Sequence, residues 1–244
     1  MPWWSCSTGA GICCKLVSGM NYELMVAVYE SDVDAVRLAL ECGANPNHCV
    51  DGNTPLLQAV VQDRLDLVQV LLEFGADPNL GSPVHHTFYL EVVEALLDAG
   101  ASIAPNRDGS IMHAAVSELD LLKYLIGRAQ GQPYLEWYDR DFGDTLLGSA
   151  ARSGYAESVR FLLELGSDPN RCNPDMIART PLATAATTNP ETVQLLLEAG
   201  ADPDHSWGLC ATGREALEKA GPVMRALLTE ADRHPERYKR FSHS

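Results

Sequence analysis

Residues 144–170 read DTLLGSAARSGYAESVRFLLELGSDPN. Leu146, Leu147, Ala150 and Ala151 follow helical spacing as far as Ser153-Gly154. Val159, Leu162 and Leu163 take up the same spacing as far as Gly166, and residues 166–170 supply turn chemistry. The pattern predicts two short antiparallel helices and a turn, a unit too small to bury its own apolar face. The chain restates it. GADPN at 75–79 and GADPD at 200–204 repeat the tail GSDPN of 166–170, and GANPN at 43–47 is a further variant. Gly43 to Gly75 is 32 residues, Gly100 to Gly166 is 66 and Gly166 to Gly200 is 34. A period near 33 therefore organises the sequence.

The cleanest copy, DGNTPLLQAVVQDRLDLVQVLLEFGADPN at 51–79, gives the physical reasons for each position. Thr54 can cap the first helix, and Pro55 fits its first turn, where no amide donor is needed. Leu56, Ala59 and Val60 face one way; Val68, Leu71 and Leu72 form the second buried stripe; Gly75 can take a left-handed C-cap. Related starts recur at Ser82-Pro83-Val84-His85, Ser110-Ile111-Met112-His113, Thr145-Leu146-Leu147 and Thr180-Pro181-Leu182. In this respect the chain resembles the ankyrin-repeat family over roughly residues 20–232, about seven repeats. The resemblance implies an all-α ankyrin-repeat solenoid of helix–turn–helix units with β-hairpin finger loops, and a protein-binding role on the concave face. His85 and His113 fall where such repeats commonly hold a histidine bonded to neighbouring backbone.

Against this period the deviations become measurable. Gly75 to Gly100 is only 25 residues, so seven or eight are missing, placed by alignment about four in the finger and about three in the first helix. Ile126 to Thr145 is 19 residues against 14 from Leu40 to Thr54. The surplus lies in a loop bearing Tyr134, Trp137, Tyr138, Arg140 and Phe142. A second long entry, 171–179, carries Met176 and Ile177, and Trp207 takes the finger position of the last repeat. Trp, Tyr and Arg are the residue types that dominate interface energetics. These eight residues are the candidate partner-binding row, with packing of the irregular junctions as the competing reading.

Composition narrows the function classes. The formal net charge is −15, and residues 20–212 alone hold 10 basic and 28 acidic residues. Such a body is a poor match for nucleic acid or anionic membrane, whose binding needs cationic surface. It suits a basic protein partner or simple solubility. Seven cysteines with no CxxC fit a reducing, cytoplasmic setting better than a disulfide framework. No phosphate loop, HExxH, GxSxG or calcium-loop motif appears, so no enzyme, cofactor or metal is expected. His85 and His86 lack a third ligand at suitable spacing. Residues 1–19 match no repeat and read as a disordered extension or as sequence upstream of a start at Met20; 233–244 reads as a basic tail. The expectation is a monomeric, non-catalytic protein-binding module. It would be an adaptor or an inhibitor, for instance an immunity-type blocker of a basic toxin or nuclease. The alternative is a structural or assembly scaffold.

Overall fold

The computed structural model describes residues 13–104, 110–129, 134–139, 143–173, 179–205, 212–235 and 237. Thirteen α-helices occur among them, and two isolated antiparallel bridges, Val50 with Asn53 and Tyr138 with Thr145, are their β pairing. The expected finger hairpins are thus tight turns rather than strands where they are described. Two compact units divide the chain, Met1–Ser102 and Ile103–Ser244.

The first unit holds α1 (Cys13–Tyr29), α2 (Val33–Glu41), α3 (Pro55–Val61), α4 (Leu65–Glu73) and α5 (Leu90–Asp98). Helix α1 begins upstream of Met20. Each first helix packs on the next first helix and each second helix on the next second helix, so apolar stripes too narrow to be buried alone are covered by their copies. Leu24, Val28, Val36, Leu56, Ala59, Leu67, Val68, Leu71, Val93 and Leu96 are fully buried. The Thr54 hydroxyl accepts the Leu57 N–H at 3.0 Å, capping α3 as its sequence requires. Gly75 ends its turn at φ 84°, a region where a Cβ is disfavoured.

The shortened third repeat keeps four residues of its first helix against seven in α3, the loss of about three that the alignment places there. Its first helix is a single 3-10 turn, Pro83–His86. Proline at the first position and only four residues before Thr87 leave no room for a second α-turn. The spacing of the turns survives nonetheless. Asn79 donates from Nδ2 to the Gly100 carbonyl (3.2 Å) and accepts the Ser102 N–H (2.9 Å). Asn47 does the same to Gly75 and Asp77 (3.1 and 2.7 Å).

The second unit holds α6 (Ile111–Ala114), α7 (Leu119–Arg128), α8 (Leu146–Ser153), α9 (Ala156–Glu164), α10 (Pro181–Ala185), α11 (Pro190–Glu198), α12 (Gly213–Ala220) and α13 (Pro222–Arg233). Asn170 clamps Gly200 and Asp202 (3.2 and 2.7 Å) as its counterparts do in the first unit. The last turn carries Asp204 in place of asparagine, and Arg214 bridges Asp204 to Asp232 of α13. Although the last repeat lacks the TPL signature, Thr212 still caps α12 by accepting the Glu215 N–H. Gly213 stands where the signature has proline, and a Cβ there would meet Leu182 Cδ2 at 2.8 Å, so the start of α12 lies close against α10.

Candidate functional site

The aromatic loop before α8 is built by its own backbone. A 3-10 turn at Tyr134–Glu136 brings the Trp137 N–H onto the Tyr134 carbonyl at 3.2 Å. The Asp139 N–H donates to the Asp144 carbonyl at 2.8 Å, and Asp139 Oδ1 accepts the Gly143 N–H at 3.1 Å. Tyr134, Trp137 and Tyr138 are each half-buried. The Tyr138 hydroxyl donates to the Cys172 carbonyl (3.4 Å) and accepts from Arg171 Nε (3.2 Å), while that guanidinium sits 6.0 Å from the ring centroid. Tyr138 therefore ties this loop to the next one. Arg140, Phe142, Met176, Ile177 and Trp207 lie outside the described residues.

Beneath the loop is a polar network. In the fifth repeat Gly148 replaces the histidine of His85 and His113, and a Cβ there would stand 3.1 Å from Asp144 Cβ. The missing side chain leaves room for the Asp144 carboxylate, which is almost wholly buried and paired with Arg152 Nε at 2.7 Å. Arg152 also reaches Asp139 at 3.3 Å, where Ser149 Oγ donates as well. Burial pushes the Asp144 pKa above its ordinary value despite the hydrogen bond from Arg152, which opposes it. His113 Nε2 lies 3.2 Å from the Asp144 carbonyl, and a carbonyl can only accept, so the ring donates there. This is the backbone-bonding role expected for that histidine. Burial holds His113 below its ordinary 6.5, with the Asp139 charge and the Asp144 and Trp137 backbone opposing. A buried carboxylate paired with the half-buried Arg152 and held by this many local partners braces the loop.

A second surface escaped the sequence reading. In the first unit, Tyr29 ends α1, Val61 ends α3, and Phe88 and Tyr89 follow the 3-10 turn. Tyr29 and Val61 hold corresponding places, three residues before the second helix's N-cap, whereas Tyr89 is that N-cap itself in the third repeat and Phe88 precedes it; the four side chains are 51–57% exposed. The turns carrying them are joined. Gln62 Nε2 donates to the Tyr29 carbonyl (3.2 Å) and Thr87 Oγ1 to Asp63 (3.1 Å). The Tyr29 hydroxyl accepts from Asn53 Nδ2 at 2.9 Å. Exposed Glu30, Asp32, Asp63 and Glu91 flank these side chains. The signal in the sequence was an apolar residue in the turn between the two helices of a repeat, at the end of the first helix for Tyr29 and Val61 and at the start of the second for Phe88 and Tyr89. Among the described residues no cluster of three or more His, Cys, Asp or Glu could hold a metal, and no helix is long and apolar enough to cross a membrane.

Repeats of paired helices with capped first helices and Gly-x-Asp turns define a family. The family model described as ankyrin repeats (3 copies) matches residues 5–82 and 111–206, more than half of the sequence, and the chain belongs to the ankyrin-repeat family. Domains of this family generally mediate protein–protein interaction and are typically non-catalytic. Among solved structures, the human ASB11 ankyrin repeat domain is similar at 24% identity and a TM-score of 0.68, over 84% of this chain and 96% of that one. The ankyrin repeat domain of Bcl-3, described as a unique member of the IkappaB protein family, is similar at 22% identity and a TM-score of 0.67, over 85% and 97%. These likenesses concern the fold. No curated protein sequence matches the chain significantly.

Proposed function

We propose that this chain is a non-catalytic, monomeric cytoplasmic module that binds a basic protein, and that the first unit holds a cationic, partly apolar segment of it. The observation that carries the reading is the exposure of Tyr29, Val61, Phe88 and Tyr89 at the hydrogen-bonded turns of three successive repeats. Contiguous apolar exposure is uncommon on a soluble monomer and marks interaction surface. Charge supports the chemistry of the partner: Met1–Ser102 contains 3 basic and 13 acidic residues. Acidic flanks would speed encounter with a cationic segment, and the aromatic side chains would slow its release. An adaptor and an inhibitor use such a surface alike; an immunity-type inhibitor of a basic toxin or nuclease is the specific version the charge favours.

The test is affinity capture of a partner by wild type beside Tyr29→Ala/Phe88→Ala, followed by kinetics on the captured protein. Loss of two interface anchors should weaken binding about 10- to 100-fold, and salt should lower the association rate. Unchanged affinity together with salt-independent association would remove the proposal. In the second unit the row of Tyr134, Trp137, Tyr138, Arg140, Phe142, Met176, Ile177 and Trp207 remains the proposed further contact, tested by Trp137→Ala. The scaffold reading has one observation of its own, the engagement of Tyr138 by Arg171 and Cys172.

A further inference from the structure

The turns between paired helices in the first unit spend their amides internally. The N–H groups of Glu30, Ser31 and Asp32 donate to the Val26, Val28 and Ala27 carbonyls (2.9, 3.0 and 3.0 Å). Those of Gln62, Asp63 and Arg64 donate to Gln58, Val60 and Ala59 (3.2, 2.9 and 3.1 Å). The Tyr89 N–H donates to Thr87 Oγ1 at 3.1 Å. What these turns offer to solvent is side chain: Tyr29 and Val61 at one place in successive repeats, then Phe88 and Tyr89, with the carboxylates of Glu30, Asp32, Asp63 and Glu91 beside them in sequence. Arg64, a cation of the middle turn, is tied to Asp66 at 2.7 Å, so the surface stays anionic.

We propose that the basic partner lays an amphipathic α-helix across these turns, its apolar side chains about seven residues apart against Tyr29, Val61 and the Phe88–Tyr89 pair; the proposal rests on the partner-binding reading above. Spacing selects the period. Helix α1 packs on α3, and α3 on the 3-10 turn Pro83–His86, and packed helices lie about 8–10 Å apart. Successive turns are offset by roughly that distance, and seven residues of α-helix rise about 10.5 Å. Contact with all three turns therefore takes about four turns of helix. An extended segment could match the offset with about three residues, but such segments bind through main-chain hydrogen bonds, and the turn amides are already taken. A helix arrives with its backbone bonded to itself and asks only for side-chain contacts. Charge selects the flanks. Lys or Arg one helical turn from each apolar position would face Glu30, Asp32, Asp63 and Glu91.

The test titrates the full chain into labelled synthetic peptides of about 18 residues, followed by fluorescence anisotropy at low salt. The first peptide has leucine at every seventh position and lysines one turn away, in an alanine and glutamine background. The second sets its leucines three apart around a central proline, which forbids the helix. The third is the first with glutamate in place of lysine. The first should bind at least about tenfold more tightly than either of the others. It should also gain helical circular dichroism on mixing, because a helix of that length is marginal alone. Val61→Ala/Phe88→Ala should weaken it about tenfold, with Tyr29→Ala as the second variant if that pair misfolds. Tighter binding of the proline peptide, still sensitive to these variants, overturns the helix and leaves the partner-binding surface standing. Equal binding of the glutamate peptide overturns the inference. No binding by any of the three overturns it as well, and leaves the surface to be judged by partner capture. Binding that ignores both variants overturns the inference and removes the surface with it.

Discussion

Tyr138, proposed as a partner contact, also does structural work. Its ring sits in the loop that sequence length singles out, yet its hydroxyl serves Cys172 and Arg171. Tyr138→Phe should cost about 0.5–1.5 kcal/mol of stability, seen as a lower urea midpoint at unchanged slope. An unchanged midpoint would mean that the hydroxyl is idle. His113 makes a pH-dependent contribution whose sign follows from its environment. Its pKa is lower folded than unfolded, so as pH falls through 6.5 the unfolded chain takes up the proton first and stability is lost. Asp144 works the other way. Its folded pKa lies above 3.8, so its contribution is present at low pH and is lost as pH rises through that raised value. Between about pH 7.5 and about pH 5.5 the histidine should dominate, because its ordinary value falls inside that window. The urea midpoint should drop on acidification in wild type, and His113→Gln should flatten the drop.

At the level of elements, side chains rather than helix propensity fix where four of the repeats begin and hold three of the turns that follow. Thr54, Thr145, Thr180 and Thr212 each accept an N–H at the start of a first helix. Asn47, Asn79 and Asn170 each hold two backbone groups of the following turn. Asn79→Ala should cost about 1–2 kcal/mol, the sum of two modest exposed hydrogen bonds, measured by urea unfolding of the full chain. A similar change at exposed Gln69, which has no such role, is the control and should stay within about 0.5 kcal/mol. The boundary between the compact units follows Ser102, and Ala104 occupies the position that holds asparagine in the clamped turns.

Across the whole molecule, the fold was legible because the period repeats the same physical demand seven times. Recurring turn glycines, threonine caps before four of the first helices and two apolar stripes leave little choice of architecture. The candidate surfaces were less legible. Trp137 and Tyr138 were visible as an aromatic surplus, but burial depends on partners such as Cys172 that lie 34 residues away. Tyr29, Val61, Phe88 and Tyr89 are unremarkable singly and come together only once the turns between paired helices are known. Charge was legible by count but not by unit: 10 of the 15 net negative charges fall in Met1–Ser102, the unit that does not contain the aromatic loop. The asparagine clamps carry a practical consequence for engineering. They run from turn to turn and ignore what lies between, holding across a short repeat (Asn79 to Gly100) as they do across a long one (Asn170 to Gly200). Loops ahead of the Thr-capped helices can therefore be lengthened, trimmed or exchanged as interchangeable cassettes, with the pitch of the array left to a residue that is never touched.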